Sequence, residues 1–243
     1  MRHIYYCIFF MLFTVGFTQK ILIPMDQSQT DHLKAYGIAF FNLKSNLNVE
    51  WLLNYRGGSF LIEDNSDIRT LCTVRGVKFE LINAADLSNI LASISDNNME
   101  IVLLEKEPKI AVYSPPGKQP WDDAVTLALT YAEIDYHVIF DDEVMSGEID
   151  DYDWLHLHHE DFTGQYGKFY RSYRNADWYR KMEKDFNINA SKYGFQSVHD
   201  FKKNIALKIR NYISGGGFLF AMCSATDSFD IALASQGIDI VDT

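Results

Sequence analysis

The sequence predicts an α/β protein whose mature part is built on a parallel β-sheet with helices on both faces. Short apolar, strand-like runs alternate with helix-like segments of about 10 to 15 residues, which is typical of βαβ units. The alternation restarts after residue 108, so two α/β parts follow each other along the chain.

The first 18 residues have the pattern of a signal peptide. A short basic start precedes an apolar run from Ile4 to Phe13, and the small residues Gly16 and Thr18 stand before the cleavage position. The run is shorter than the roughly 20 residues that cross a bilayer as a helix. We therefore expect an exported protein, periplasmic or secreted, that starts near Gln19 and is not an integral membrane protein.

Composition limits the classes of partner. The formal net charge is −11, and an acidic surface repels phosphate backbones, so nucleic acid is not expected as a partner. The mature chain keeps two cysteines, Cys72 and Cys223, which are too few for a disulfide-dense scaffold.

The first α/β part covers residues 19–107. Its strands are predicted over residues 20–24, 49–53, 59–62, 78–82 and 99–104, and its helices over 31–44, 67–74 and 86–94. The charged segment that ends on Pro108 is interpreted as a linker.

The second α/β part covers residues 108–243. Its strands are predicted over residues 110–114, 136–140, 153–159 and 217–222, its helices over 121–134, 198–213 and 224–234, and a further strand from 238. Right-handed crossovers place such units side by side, so the four strands should be parallel in one sheet, with the 110 strand central. The acidic residues 141–143 are interpreted as a solvated turn.

An insertion over residues 160–197 is rich in tyrosine, phenylalanine and tryptophan mixed with arginine and lysine. Insertions of this length are typical of a lid, a binding loop or a partner surface. The alternative is a small packed subdomain in which residues 177–186 form a helix.

The segment that ends on Cys223 has the pattern of a nucleophile on a tight turn. A glycine turn at residues 215–217 feeds an apolar strand, and Ala221 and Ala225 flank the cysteine. A sharp strand-to-helix turn needs small neighbours because the backbone is crowded there. The N–H groups of the helix that starts near Ser224 would stabilise a thiolate. A buried inert thiol, or a disulfide to the other mature cysteine, is the alternative.

A second cluster, His156-Leu157-His158-His159-Glu160-Asp161, ends a predicted strand. It should lie at the carboxyl edge of the sheet, where ligand sites of α/β proteins form. Histidine and carboxylate side chains suit zinc, but this spacing matches no recognised metal motif, so no metal is assigned.

From Lys109 onward the strand, the cysteine turn and the following helix resemble class I glutamine amidotransferases and their wider superfamily, whose fold is flavodoxin-like. The whole chain also resembles exported proteins sometimes labelled asparagine synthetase B. The family's turn carries glycines where this chain has Ala221 and Ala225. The family's histidine and carboxylate follow the cysteine, whereas no histidine follows His199 here.

The resemblance implies a cysteine-dependent amide hydrolase with oxyanion donors near Gly164. No cofactor is assigned. The candidate catalytic residues are Cys223, His159 and Glu160; the candidate substrate-binding residues are His158, Gly164, Tyr166 and Ser224. The pattern stops at Thr243, so we expect either a C-terminal truncation, a site that uses other groups, or an inactive site. The alternative function is a non-catalytic envelope protein that binds a small molecule, a glycan or a partner protein in the same crevice.

Overall fold

The computed structural model describes residues 19–115, 124–164, 167–238 and 240. The chain divides into two compact units, the first ending at Glu107 and the second beginning at Pro108. The predicted signal peptide lies outside the described residues. Within the described residues, no helix combines the length and the apolar character needed to cross a membrane.

In the described residues 19–107, the first unit contains five strands and three α-helices, with bounds close to those predicted, and a short 3-10 helix at Tyr55–Gly57. The strands and α-helices are β1 Lys20–Ile23, α1 His32–Lys44, β2 Val49–Leu53, β3 Ser59–Glu63, α2 Ser66–Arg75, β4 Glu80–Ile82, α3 Ala84–Asp96 and β5 Glu100–Leu104. Each helix begins after a side-chain cap: the carboxylate of Asp31 and the amides of Asn65 and Asn83 accept backbone N–H groups of the first turn.

The sheet of the first unit is antiparallel, so the expectation of a parallel sheet is wrong for this part. Its strand order is β4-β1-β3-β2-β5, and every neighbouring pair is antiparallel. Strands joined by a helix do run in the same direction, but another strand lies between them: β3 separates β1 from β2, and β1 separates β3 from β4. Periodicity in the sequence indicates the βαβ units but not which strands are neighbours.

Helices cover both faces of this antiparallel sheet. Ile21 and Ile62 pack with Ile38 of α1 and Cys72 of α2 on one face. Leu22, Leu61 and other residues of the opposite face pack with Ile90 and Ile94 of α3. Because successive side chains of β1 and β3 enter different cores, residues 21–23 of β1 and 60–62 of β3 are all apolar.

The second unit is built on a parallel sheet, as predicted. Its elements are β6 Ile110–Tyr113, α4 Ala124–Ala132, β7 His137–Ile139, α5 Asp141–Ser146, β8 Trp154–Leu157, α6 Gly167–Tyr173, α7 Asp177–Lys192, α8 Val198–Ser214, β9 Phe218–Ala221 and α9 Ser224–Ala234. The order is β7-β6-β8-β9 with parallel pairs throughout, and β6 is one of the two inner strands. Of the predicted strand after residue 237, the described residues Ile238 and Ile240 are not in a strand.

The insertion is folded onto the core of the second unit. Tyr179 and Ala190 of α7 belong to the same buried cluster as Leu155 of β8 and Phe201 and Ile205 of α8. The helix predicted over residues 177–186 is therefore confirmed and extends to Lys192, but it packs into the core of the second unit and does not form a core of its own.

Asp141 is fully buried, so the interpretation of residues 141–143 as a solvated turn is wrong for this residue. Both of its carboxylate oxygens lie 2.8 Å from Nζ of Lys202 in α8. The Tyr113 hydroxyl also donates to this carboxylate, and Nδ2 of Asn189 donates to it over 3.0 Å. Burial next to Asp141 raises the pKa of Tyr113 well above its usual value. Through Lys202 and Asn189, the Asp141 carboxylate joins the start of α5 to α8 and α7.

We expect the Lys202→Met substitution to lower the free energy of unfolding by about 3–5 kcal/mol, because it leaves a buried carboxylate without its cation. Urea denaturation followed by circular dichroism measures the change. The control is Lys192→Met, which removes an exposed pair with Asp142 at 2.7 Å and should have a much smaller effect. Equal losses in the two variants would contradict a special role of the buried pair.

Candidate active site

Cys223 lies on a strained turn between β9 and α9. It is the N-cap residue of α9, with φ 51° and ψ −136°, and its side chain is exposed. A side-chain-bearing residue in this region costs about 1–3 kcal/mol and persists only where the surroundings enforce it. A strained strand-to-helix turn with an exposed nucleophilic side chain is the geometry of a nucleophile elbow.

The parallel pairing of β8 and β9 brings the histidine segment to the same edge of the sheet. Leu157 is paired with Ala221 at the ends of the two strands. Beyond this pair, Met222 N donates to the Leu157 carbonyl over 2.9 Å, and Ala225 N donates to the His158 carbonyl over 3.2 Å. The prediction that Cys223 and the 158–164 segment end on one edge is confirmed.

Two serine hydroxyls of α9 hold this segment against the elbow. Oγ of Ser224 donates to the His159 carbonyl over 3.3 Å, and Oγ of Ser228 donates to the Glu160 carbonyl over 2.7 Å. Ser224 was predicted to bind substrate, and the structure assigns its hydroxyl to this contact. Ser228 was missed by the sequence analysis, although its spacing of four residues places it on the same helix face as Ser224.

The Glu160 carboxylate organises the turn that carries the two histidines. Its Oε2 accepts the backbone N–H of His158 over 3.0 Å and that of His159 over 3.1 Å. The two imidazole rings lie with their centroids 3.6 Å apart. His156 is a core residue: it is buried, and its Nδ1 lies 3.1 Å from the Phe220 carbonyl oxygen.

The 158–164 segment ends at Gly164, which packs closely against the start of α8. Its φ is +75°, and a β carbon at this position would lie 2.5 Å from Cα of His199 and 2.9 Å from the carbonyl carbon of Val198. Only glycine fits this approach, which fixes the segment to the first turn of α8. Substrate binding by Gly164 stays a prediction, and Tyr166 lies outside the described residues.

Cys72 and Cys223 are not bridged, so the disulfide interpretation is wrong. Cys223 is exposed, whereas Cys72 is buried in the first unit, and burial raises the pKa of Cys72 to about 11. Within the described residues, no three histidine, cysteine or acidic side chains are grouped closely enough to hold a metal ion.

A cleft of about 600 Å³ lies at the other edge of the sheet, where the strands begin. It is lined by residues from α5, from the segment between α5 and β8, from the end of α8 and from the glycine turn before β9. The N–H groups of Gly215, Gly216 and Gly217 are bonded to carbonyls of α8. None of the residues that line this cleft belongs to the Cys223 turn or to the 158–164 segment.

Comparisons with protein-family models, with curated proteins and with solved structures give no match to this chain. The geometry of the elbow and of the segment beside it therefore carries the functional argument.

We expect Cys223→Gly to be more stable than Cys223→Ala by about 1 kcal/mol. Both variants lose the thiol, but only glycine relaxes the positive φ. Thermal or urea denaturation measures the difference. The control is Ala176→Gly, at the N-cap of α7, where φ is −75° and no side chain caps the helix. An equal gain from glycine at position 176 would show that helix capping, not strain, accounts for the effect.

Proposed function

We propose that the chain is an exported, amidotransferase-like hydrolase that cleaves amides through the thiol of Cys223. The observation that carries the proposal is the strained backbone of an exposed cysteine between the end of a parallel strand and the start of a helix. Enzymes retain such strain where it presents a nucleophile to its substrate.

The chemistry needs a thiolate and a place for negative charge. The Sγ thiolate adds to the carbonyl carbon of an amide, and the C–N bond then breaks with protonation of the leaving amine. Water hydrolyses the resulting thioester, releases a carboxylic acid and returns the thiol. The N–H groups of Ala225 and Thr226 in the first turn of α9 are bonded to the carbonyls of His158 and Cys223. The dipole of α9, rather than these two N–H groups, therefore favours the thiolate and the developing oxyanion at the elbow.

His159 is the candidate proton carrier, and Glu160 is its positioning residue. Glu160 binds the main-chain N–H groups of the turn, so its carboxylate acts by fixing the backbone from which the imidazole projects. His158 lies against His159 and lines the same edge as a candidate substrate contact. Proton transfer by His159 contributes an expected factor of roughly 10² to 10⁴ to the rate.

One observation favours the second candidate function, a non-catalytic envelope protein that binds a small molecule, glycan or partner in this crevice. The carboxylate that would orient a catalytic imidazole is already bonded to two backbone N–H groups. A site that only binds a ligand has no need of an acid–base pair.

Iodoacetamide labelling and ammonia release separate these candidates. On the folded protein, Cys223 should be alkylated at least about tenfold faster than buried Cys72, the internal control, because only an accessible thiolate reacts. Ammonia release from glutamine and from small primary amides should disappear in Cys223→Ala. It should fall by roughly 10² in His159→Gln, which keeps the size of the side chain but cannot carry the proton.

Hydrolysis that survives in Cys223→Ala would contradict the proposal. A reactive Cys223 without hydrolysis of any amide would favour the binding protein.

A further inference from the structure

The α6–α7 hairpin carries three half-exposed aromatic side chains that the proposed hydrolysis does not use. Tyr170, Tyr173 and Trp178 have 47%, 46% and 48% of their surface exposed. Aromatic side chains of this size are normally buried or used in contacts, because each covers a large apolar area.

These rings form one connected and supported surface. The centroid of the Trp178 ring lies 5.2 Å from the centroid of the Tyr173 ring and 5.7 Å from that of the Tyr179 ring. Tyr170 also contacts the Tyr179 ring, at 6.4 Å. Since Tyr179 is 1% exposed and belongs to the core of the second unit, the outer rings stand on a fixed base. Contacts with pre-packed rings cost little conformational entropy on binding.

The same hairpin is locally basic in an acidic chain. Arg171, Arg174 and Arg180 are exposed, and Asp177 is the single acidic residue between positions 170 and 180. The net charge of the chain is −11, so the charge of this segment is opposite in sign to that of the chain as a whole. The guanidinium carbon of Arg174 lies 5.8 Å from the centre of the Tyr170 ring, which places cation and aromatic face side by side.

We propose that this aromatic–arginine surface, Tyr170, Arg171, Tyr173, Arg174, Trp178 and Arg180, binds an acidic polysaccharide. Aromatic faces pack on the apolar C–H faces of sugar rings, and guanidinium groups bind carboxylates or sulfates in a bidentate fashion. The proposal does not depend on the reactivity of Cys223.

Charge and packing favour a polysaccharide over other polyanions. The net negative charge of the chain repels duplex nucleic acid more strongly than an acidic polysaccharide, because a duplex carries about one charge per 1.7 Å of its axis. Proteins that bind an anionic membrane insert aromatic rings into the lipid interface. The Trp178 ring packs between Tyr173 and Tyr179, which disfavours its insertion into lipid.

The test is isothermal titration of the full chain with polygalacturonate and with its methyl ester, which keeps the sugar rings but removes the charge. Polygalacturonate should bind, and the ester should bind at least about tenfold more weakly. Trp178→Ala and Arg174→Gln should each weaken binding about tenfold, and added salt should weaken it further. Circular dichroism checks that the variants fold.

The matched controls are Tyr131→Ala and Arg210→Gln, which alter an exposed tyrosine and an exposed arginine outside the surface. They should leave the affinity unchanged. Equal losses in controls and surface variants, equal binding of polymer and ester, or no binding of polygalacturonate would each overturn the proposal. Binding of oligothymidylate or anionic vesicles in place of polygalacturonate would overturn it in favour of that partner. Cys223→Ala should bind polygalacturonate normally.

Discussion

The parallel pairing of β8 with β9 is the constraint on which the candidate site depends. Because both strands run in the same direction and end at the Leu157–Ala221 pair, the residues that follow them must emerge at one edge. The chain after β9 turns sharply into α9 through Cys223, and the chain after β8 becomes the histidine turn. Backbone and serine hydrogen bonds then join the two, so the thiol and the imidazoles share an edge although they are more than sixty positions apart in the sequence.

The segment beside Cys223 is held from two sides, which explains how a strained residue persists. One end is bonded to α9 through Ser224 and Ser228. At the other end, Gly164 packs against the first turn of α8. The buried Lys202–Asp141 pair joins α8 to α5, and Nζ of Lys202 also lies 3.1 Å from the Tyr113 hydroxyl at the end of β6. Strain of about 1–3 kcal/mol at one residue is small beside the interactions that enforce it. Loss of the buried pair would thus loosen the site from a distance, through α8.

The sequence predicts the second unit better than the first for a physical reason. Apolar runs, glycine turns and helix caps are local signals, so β9, the elbow and α9 could be located from residues 215–234 alone. The neighbours of a strand depend on contacts between distant segments, and the split βαβ units of the first unit carry the same local pattern as adjacent ones. Asp141 was misjudged because its partner, Lys202, lies 61 positions away. The hydrogen bonds between the Glu160 carboxylate and the backbone of its own turn could not be predicted either. A carboxylate in a histidine cluster is equally typical of a catalytic pair.

Acylation of Cys223 measures directly whether its backbone presents it as a nucleophile. The folded protein is mixed with an activated acetyl ester, quenched and mapped by mass spectrometry, with release of the leaving group followed in parallel. A nucleophilic Cys223 should release a burst of about one equivalent of leaving group and carry a hydroxylamine-sensitive acetyl group that water then removes. No acetyl group on Cys223, or acylation no faster than in the unfolded chain, would contradict this role.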